Sequence, residues 1–406
     1  MRSAGRESNA ITCNPPRTLH LKLSILPLNF HAPWGGSEIL WSSLASYWHG
    51  QGHEVAIAIK NWQPMPKPIL SLEEAGIPLN RYAQGSSLRS RMTARIKRLA
   101  GIPTPLRSLE EWLRETPPDL LVFSADCMGG MPGIQLAAKL SIPYAFIMQA
   151  NSESWWPFDP GREAMNTAMD HARGAICFVG ERNRDLFELQ LGRRLPNALI
   201  VRNPHAALGM DPLPWPEPSS VDAGAENLRM AFVGRQEPIA KGQDILFQVL
   251  AQPQWRERNW TLALYGAGAG TQGVKAMAEM LGICDRLTFV TSYSSIQQVW
   301  GNAHVLLMAS RYEGLPLALA EAMSLGRPAV VTDVADCAIL LRDGIDGFVA
   351  TSPKVSAYAE AMERLWESRS ELPQMGANAA QRARDFLPQD PVRSAAEAIL
   401  AVSHSR

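Results

Sequence analysis

The sequence lacks any uninterrupted apolar run of the ~18 residues that a membrane-spanning helix needs. The first residues, MRSAGRESNAITCNPPRT, also lack the apolar segment of a secretory signal, so residues 1–19 are expected to form a disordered tail. Neither sign of charge is in excess, because 39 lysines and arginines balance 39 aspartates and glutamates. Without a chain-wide basic field, nucleic acid is not an expected partner.

Cysteine is scarce, and the five cysteines are dispersed without a CxxC pair. Neither a disulfide framework nor a zinc site is indicated, and reduced thiols in the cytoplasm are the simplest interpretation. Aspartates spaced as D-x-D, which would indicate a carboxylate-held metal, are absent, as are the G-x-S-x-G and P-loop motifs. These patterns predict no metal and no other cofactor.

Buried-strand patterns alternate with helical patterns in two series along the 406 residues. This alternation predicts parallel, doubly wound α/β sheets, and the chain length predicts two domains. The predicted strands are LHLKLSILPL, HEVAIAIK, PDLLVFS, PYAFIMQ and GAICFVG in the first series, and LRMAFVG, WTLALYG, RLTFVTS, HVLLMAS and PAVVTDV in the second.

A segment rich in proline and small polar residues, MDPLPWPEPSSVDAGAEN, separates the two series and predicts a linker at 208–227. It divides an N-terminal Rossmann-like domain at 20–207 from a C-terminal Rossmann-like domain at 228–385. Residues 386–406 are predicted to form a C-terminal helix that packs on either domain. Two such domains leave a cleft between them, and ligands of doubly wound sheets bind beyond the C-terminal strand ends.

An acidic pair, Glu313 and Glu321, lies in SRYEGLPLALAEAMSLGRP. Glu313 is predicted in a strand-to-helix turn, with Pro316 at the first helical position. A helix N-terminus attracts anions, so a glutamate there suits the binding of ligand hydroxyls beside a phosphate held by backbone N–H groups. When the pair is taken alone, an acidic helix cap together with a solvated glutamate is the favoured explanation.

Two cations follow the strand in FVGRQEPIAKGQDIL, and this arrangement suits a diphosphate. Arg235 offers a fork of donors and Lys241 a compact charge, although both are also consistent with a solvated surface. Near the N-terminus, Gly35 and Gly36 open a helix and allow close approach of backbone to ligand. The alternative there is a plain turn capped by Ser37.

A third glycine segment, LALYGAGAGTQ, carries Gly266, Gly268 and Gly270 after a predicted strand. The dinucleotide frame G-x-G-x-x-G fails because Thr271 takes its last place, and no acidic residue follows about 20 residues later at a strand end. The segment is interpreted as a tight loop that lines a nucleotide pocket.

The combination of GGSE, FVGR…KG and SRYEGLPLALAEAMSLGRPAVVTDV resembles the family-4 retaining glycosyltransferases of the GT-B fold. The order and spacing of these segments match from about residue 21 to the end of the chain. The resemblance implies two Rossmann-like domains that face a central cleft, a nucleotide-diphosphate sugar as donor, and front-face substitution with no enzyme nucleophile or metal.

The resemblance also implies roles for individual residues. Arg235 and Lys241 would hold the diphosphate and stabilise the departing nucleotide, while Glu313 would bind the hydroxyls of the donor sugar. Glu321 would accept from the ribose hydroxyls. The remaining expected substrate-binding residues are Gly35, Gly36, Gln149, Gly266, Gly268, Gly314, Leu315 and Leu317.

Two departures from the family pattern are visible. Gln149 stands where many relatives carry a histidine that faces the reacting sugar, and glutamine cannot take a proton at neutral pH. Ala335, Asp336 and Ile339 stand where relatives show two glycines and a later glutamate. Neither departure touches Glu313, Glu321, Arg235 or Lys241, so sugar transfer to a glycan, lipid-linked or small-molecule acceptor stays the leading hypothesis. A nucleotide-sugar binding module without catalysis and a NAD-dependent oxidoreductase are the alternatives.

The acceptor side offers two candidate features. Five basic residues cluster in RSRMTARIKRLA (Arg89, Arg91, Arg95, Lys97 and Arg98) and suit an anionic membrane surface, an acidic acceptor or a solvated loop. Three aromatic residues, Trp155, Trp156 and Phe158, suit stacking on an acceptor as well as ordinary packing. The expected location is cytoplasmic, with peripheral contact at the inner membrane face as an option.

Overall fold

A computed structural model describes residues 20–28, 32–82, 105–217 and 227–404; for 105–108 and for residue 404 it describes the backbone only. The predicted tail at 1–19 and the basic segment at 89–98 lie outside these residues. Within the described part of the chain, none of the helices combines the length and the apolar character needed to cross a bilayer.

Within the described residues, thirteen strands form two separate sheets, and every strand pair in both is parallel. The first sheet has seven strands in the order β3-β2-β1-β4-β5-β6-β7, and the second has six in the order β10-β9-β8-β11-β12-β13. The strands are β1 Lys22–Pro27, β2 Glu54–Lys60, β3 Leu79–Tyr82, β4 Leu120–Ala125, β5 Tyr144–Met148, β6 Ile176–Phe178, β7 Ala198–Ile200, β8 Leu228–Val233, β9 Trp260–Tyr265, β10 Leu287–Val290, β11 Val305–Met308, β12 Ala329–Thr332 and β13 Gly347–Ala350.

Helices connect the strands and cover both faces of each sheet. The described helices are α1 Gly36–Gly50, α2 Lys67–Glu74, α3 Pro105–Glu115, α4 Met131–Lys139, α5 Asp159–His171, α6 Glu181–Leu191, α7 Pro238–Lys241, α8 Gln243–Leu250, α9 Pro253–Glu257, α10 Thr271–Met280, α11 Ile296–Trp300, α12 Leu317–Ser324, α13 Cys337–Leu340, α14 Val355–Glu367, α15 Leu372–Phe386 and α16 Pro391–His404. The prediction of two doubly wound parallel-sheet domains is confirmed. All ten predicted strands are present.

The central strands are apolar along their whole length because helices bury both faces of a parallel sheet. All four residues of β11 (VLLM) and all five of β5 (YAFIM) are buried. Each sheet reverses its strand order at one point, between β1 and β4 in the first and between β8 and β11 in the second. Loops diverge at such switch points, so these two places are where ligand sites are expected.

The last helix, α16, returns to the N-terminal domain. Its residues Ala395, Ala396 and Ile399 lie in one buried cluster with Leu40 and Leu44 of α1. The chain therefore crosses between the domains twice, once after β7 and once between α15 and α16.

The described part of the predicted linker packs on the C-terminal domain. Arg327, only 1% exposed, donates to the carbonyl oxygens of Leu213 (3.3 Å) and Pro214 (2.6 Å). Its guanidinium lies 5.5 Å from the centre of the Trp215 ring, and Leu213 N donates to Leu325 O at 3.2 Å. Burial lowers the pKa of Arg327 to about 10. These contacts hold residues 213–215 of the linker against Leu325 and Arg327 of the C-terminal domain.

Candidate active site

The side chains of Lys241 and Glu313 meet at the switch point of the second sheet. Lys241 lies after β8 and Glu313 after β11, and these strands are neighbours. The Lys241 Nζ donates to Glu313 Oε1 at 2.6 Å, and their side chains are 20% and 10% exposed. Ser310 Oγ donates to the same oxygen at 2.7 Å. The predicted sugar-binding carboxylate and one predicted phosphate-binding cation are therefore brought together as an ion pair.

The backbone at position 242, directly after Lys241, requires a glycine. Its φ is +66°, in the left-handed region, and a Cβ there would lie 1.9 Å from the carbonyl oxygen of Ala309. Only a residue without a side chain allows the short helix α7 to pass this close to the end of β11. The turn thereby holds Lys241 beside the loop that carries Glu313.

Arg235 lies at the end of β8 and pairs with Glu237, with Arg235 Nη2 3.0 Å from Glu237 Oε2. Its side chain is 41% exposed. Burial raises the pKa of Tyr312; the carboxylates of Glu237 and Glu313 raise it further, whereas Arg235 lowers it. The Tyr312 hydroxyl therefore lies within electrostatic reach of all these charges. Each of the two predicted phosphate-binding cations has a carboxylate partner in this structure.

Glu321 lies on α12, which begins at Leu317 with Pro316 as its N-cap, one residue earlier than the first helical position predicted for this proline. Its Oε1 accepts from the backbone N–H of Ala206 at 3.3 Å. Burial raises the pKa of the Glu321 carboxyl to about 7, and the hydrogen bond from Ala206 opposes this shift. A carboxyl in this condition gains from any further hydrogen-bond donor that a ligand brings.

Two close backbone approaches join the domains around Glu313. A Cβ on Gly314 would lie 1.9 Å from the carbonyl oxygen of Gln149, and one on Gly36 would lie 2.6 Å from Leu317 Cδ1. Leu315, at 4% exposure, belongs to a buried cluster otherwise built mainly from the N-terminal domain. Gly36, Gln149, Gly314, Leu315 and Leu317 thus meet at one interface, with Gly35 next to Gly36 as the N-cap of α1.

Gln149 is 8% exposed and its side-chain amide is held at both ends. Its Nε2 donates to Ser124 Oγ at 3.1 Å, and its Oε1 accepts from Asn203 Nδ2 at 2.9 Å. One N–H of the amide remains for another acceptor. The side chain is therefore fixed in orientation at the end of β5, beside the loop of Glu313.

Gly266 and Gly268 lie in the loop after β9, where they contact the neighbouring loop after β8. A Cβ on Gly266, whose φ is +118°, would lie 2.4 Å from Gly234 O, and one on Gly268 would lie 2.8 Å from Gln236 N and O. Packing between these two loops accounts for the glycines. Their role in lining a nucleotide pocket stays a prediction.

The three aromatic residues considered for the acceptor side differ in their environments. The Trp155 ring lies 4.8 Å from the ring of Tyr312 across the domain interface. Trp156 is 56% exposed and Phe158 89% exposed. Trp155 therefore packs, whereas the other two rings face solvent.

Part of the chain is similar in sequence to a known family and to several curated proteins. Residues 227–368 match the family described as Glycosyl transferases group 1. The D-inositol 3-phosphate glycosyltransferase of Streptomyces griseus is 31% identical over 166 residues, which cover 38% of this chain and 35% of that protein. The Vi polysaccharide biosynthesis protein VipC/TviE of Salmonella typhi is 32% identical over 145 residues, which cover 34% of this chain and 24% of that protein. The chain thus matches about a third or less of the length of these two relatives.

Solved structures match over nearly the whole chain. Anabaena HepE in complex with UDP has a TM-score of 0.69 at 17% identity, covering 94% of this chain and 100% of that chain. The same protein in complex with UDP-glucose also gives 0.69, at 18% identity and with the same coverage. Sucrose-phosphate synthase from Thermosynechococcus elongatus gives 0.72 at 15% identity, covering 95% of this chain and 100% of that chain.

The chain has the GT-B fold. The GT-B arrangement explains why the residues at both switch points face each other, since two doubly wound domains present their C-terminal strand ends to one cleft. Among the described residues, no group of three or more His, Cys, Asp or Glu side chains is placed to hold a metal ion.

Several residues of this GT-B cleft were not found from the sequence. Asn183 Nδ2 donates to Glu313 O at 3.1 Å. Arg311 forms a bidentate ion pair with Asp244, with N–O distances of 2.7 and 2.8 Å. Arg311 also donates to Pro238 O at 2.7 Å and so supports the start of α7. Ser310 had a usable signal, because it ends the predicted strand three residues before Glu313. Asn183 had none, because it is distant in sequence and belongs to the other domain.

Proposed function

We propose that the protein is a retaining glycosyltransferase that moves a sugar from a nucleotide-diphosphate sugar to a glycan, lipid-linked or small-molecule acceptor. The contact between Lys241 and Glu313 carries this proposal, because it joins a cation and a carboxylate at the switch point of the second sheet. The group 1 match at residues 227–368 and the GT-B fold support the glycosyltransferase class.

The diphosphate would displace carboxylates from both cations. Lys241 pairs with Glu313 and Arg235 pairs with Glu237 in this structure. A phosphate group is also an anion and would replace each carboxylate as the partner of the cation. Once Lys241 turns to the phosphate, the Glu313 carboxylate becomes available to the hydroxyls of the donor sugar. The same exchange would couple donor binding to the formation of the reactive geometry.

The other donor contacts follow from position. Glu321 would accept from ribose hydroxyls, while the backbone N–H groups of Gly314, Leu315 and Leu317 would help to hold the phosphates at the start of α12. Gly35 and Gly36 would close over the diphosphate from the N-terminal domain. UDP is the first nucleotide to test, because the similar HepE structures contain UDP and UDP-glucose.

Catalysis would rest on charge stabilisation without a metal. Arg235 and Lys241 would stabilise the negative charge that develops on the departing nucleoside diphosphate. The acceptor would attack from the face that the nucleotide leaves, which retains the anomeric configuration without an enzyme nucleophile. Gln149 would orient the sugar through its remaining N–H and would not exchange a proton.

The acceptor would enter from the N-terminal domain. The exposed rings of Trp156 and Phe158 suit stacking on a sugar ring or the apolar part of a lipid-linked acceptor. Polysaccharide or glycoconjugate synthesis in the cytoplasm, with peripheral contact at an anionic membrane, is the setting that we propose for this reaction.

A thermal-shift screen against UDP-, GDP- and ADP-sugars tests the donor proposal, with NAD as the negative control. At a hundredfold excess over the dissociation constant, a specific ligand stabilises the fold by about 2.7 kcal/mol, which is readily measured. Release of the free nucleotide from the stabilising sugar, with and without candidate acceptors, then tests transfer. Stabilisation by NAD alone would contradict the proposal.

A nucleotide-sugar binding module without catalysis is the second candidate. Gln149 motivates it, because this side chain cannot titrate and both ends of its amide are already engaged. Donor binding in the thermal-shift screen, with no sugar transfer to any acceptor or to water, would favour this candidate. For the NAD-dependent alternative, packing already accounts for Gly266 and Gly268, so no observation favours it.

A further inference from the structure

Asp336 lies after β12 in the C-terminal domain, but its carboxylate binds groups of the N-terminal domain. It is fully buried. Its Oδ2 accepts from Glu181 N at 2.9 Å and from Arg202 Nη1 at 2.5 Å, and its Oδ1 accepts from Arg182 N at 3.0 Å. The carboxylate therefore caps the N-terminus of α6 from the opposite domain.

Helix α6 has no side-chain cap of its own. Its N-cap residue is Gly180, and a Cβ there would lie 3.0 Å from Asp336 Oδ1. Gly180 leaves room for the Asp336 carboxylate. This carboxylate accepts from N–H groups that a helix N-terminus otherwise leaves unpaired. The positive end of the helix and the Arg202 guanidinium together offset the charge of Asp336.

The backbone before Asp336 is held in an unfavourable conformation. Ala335 has a φ of +44°, in the left-handed region that residues with a side chain rarely adopt. Such a backbone conformation persists only where the surrounding structure holds it in place. Here the strained conformation of Ala335 sets the position of the next residue, Asp336. A second ion pair, between Arg182 and Asp333, lies beside the first.

The capped turn of α6 leads directly to the site. Asn183, two residues after Glu181 and 2% exposed, donates from Nδ2 to the carbonyl oxygen of Glu313 at 3.1 Å. The next residue, Gly314, packs on the carbonyl oxygen of Gln149. Any shift of α6 relative to the C-terminal domain would therefore reach the backbone of Glu313 within one turn.

We infer that Asp336 is a positioning residue: by capping α6 across the cleft, it sets the place of Asn183 and so the geometry of Glu313. This inference rests on the proposed function for the role of Glu313. The charged groups proposed to hold the nucleotide, Arg235, Lys241 and Glu321, all belong to the C-terminal domain. Loss of the Asp336 cap should therefore disturb the placement of the sugar against the N-terminal domain more than the binding of the nucleotide.

The experiment compares Asp336→Asn with Asp346→Asn in the full chain. Asp346 is a matched control, because it is also fully buried but accepts from Arg342 N (3.0 Å) and Nη2 (2.7 Å) within the C-terminal domain. For Asp336→Asn, we expect kcat to fall by about a hundredfold while the Kd for UDP changes by less than about threefold. For Asp346→Asn, kcat and the Kd for UDP should both stay within about threefold of the unchanged protein.

Hydrogen exchange gives a readout that does not depend on activity. In Asp336→Asn, amides in the segments 181–184 and 311–317 should lose protection together, whereas Asp346→Asn should leave both segments unchanged. A double variant with Asn183→Ala should lose no more than about threefold further turnover, because both changes break the same connection.

Three results would overturn the inference. They are a kcat for Asp336→Asn within about threefold of the unchanged protein, an equal loss in Asp346→Asn, and deprotection of 181–184 without 311–317. If the unchanged protein transfers no sugar at all, the proposed function fails. The exchange pattern still decides whether Asp336 positions the loop of Glu313.

Discussion

At the scale of single residues, Lys241 and Glu313 have two roles that activity measurements alone cannot separate. They form a largely buried ion pair, and each is also a proposed ligand of the donor. Removing one partner leaves the other buried and uncompensated, which is more destabilising than removing both. Stability and turnover must therefore be measured on the same variants.

A double-mutant cycle separates these roles. We expect Lys241→Met to lower the free energy of unfolding by about 2–3 kcal/mol, and Lys241→Met with Glu313→Gln to cost at least about 1 kcal/mol less than the sum of the single changes. Turnover should fall by about a hundredfold in Glu313→Gln and should not recover in the double variant. Urea unfolding and donor turnover provide the measurements. Additive free energies would mean that the ion pair contributes nothing to stability.

Glu321 predicts a pH dependence of nucleotide binding. Ribose hydroxyls would donate to its ionised carboxylate and lower a pKa that burial has raised to about 7, so binding would release a proton. Affinity for UDP should therefore rise with pH up to about 7 and level off above it. Isothermal titration at a series of pH values measures this, and Glu321→Gln should flatten the profile. An equally steep profile in Glu321→Gln would assign the proton to another group.

The same carboxyl affects stability in the opposite direction. Because its pKa is higher in the folded protein than in the unfolded chain, the folded state binds the extra proton as pH falls. The stabilisation from this bound proton is complete when the pH is below the pKa of the unfolded chain, near 4.5. It is lost as the pH rises through about 7, the pKa in the folded protein. Ligand-free unfolding should reveal this loss, and Glu321→Gln should remove it.

Which residues could be predicted from the sequence depends on how they are brought together. Arg235, Lys241, Glu313 and Glu321 each lie in a short segment at a predicted strand end, where chain order alone places them near the cleft. Asn183 contacts a loop 130 residues away in the other domain. Such a contact depends on how two finished domains pack, and no local pattern encodes it. The functional roles of the predicted residues remain proposals.

At the scale of secondary-structure elements, the turn between α7 and α8 depends on Gly242. We expect Gly242→Ala to lower the free energy of unfolding by about 3 kcal/mol or more, because it adds a backbone clash to the cost of a positive φ. Gly192→Ala, at the C-cap of α6, is the matched control. Its φ is +73°, and apart from the local backbone no heavy atom of the described residues lies within 4 Å of the place that a Cβ would take. Only the conformational cost therefore applies, about 1–2 kcal/mol. Equal losses in urea unfolding would show that the contact with Ala309 is unimportant.

The strands that the sequence did not reveal are short strands at sheet edges. β3 (LNRY) mixes polar and apolar residues, β7 has three residues, and β13 begins with a glycine. Edge strands need less continuous apolar sequence because a partner covers only one side, so their pattern is weak. The segments ERNRDLFELQL and QDILFQVL have helical spacing and predict two helices, and the structure has these helices as α6 and α8 with the same bounds.

At the scale of the whole molecule, α16 stabilises the domain opposite to the one it follows. Ile399 is fully buried against α1, so we expect Ile399→Ala to lower the free energy of unfolding of the N-terminal domain by about 3 kcal/mol. Ile345→Ala is the control, because that side chain is 47% exposed and should cost less than about 0.5 kcal/mol. Urea unfolding followed by hydrogen exchange locates the loss. Deprotection of the C-terminal domain alone would contradict this assignment.

The return of the chain through α16 also limits how the two domains can move. Both crossings lie side by side, since Val201 and Arg202 of the first and Pro388 and Pro391 of the second line one cavity of about 520 Å³. Two adjacent covalent connections leave a rigid pair of bodies essentially one easy motion, a rotation about the line through them. Sliding and twisting would stretch one connection against the other. Of the relative motions that the two domains could make, rotation about this line is the one that the two connections restrain least.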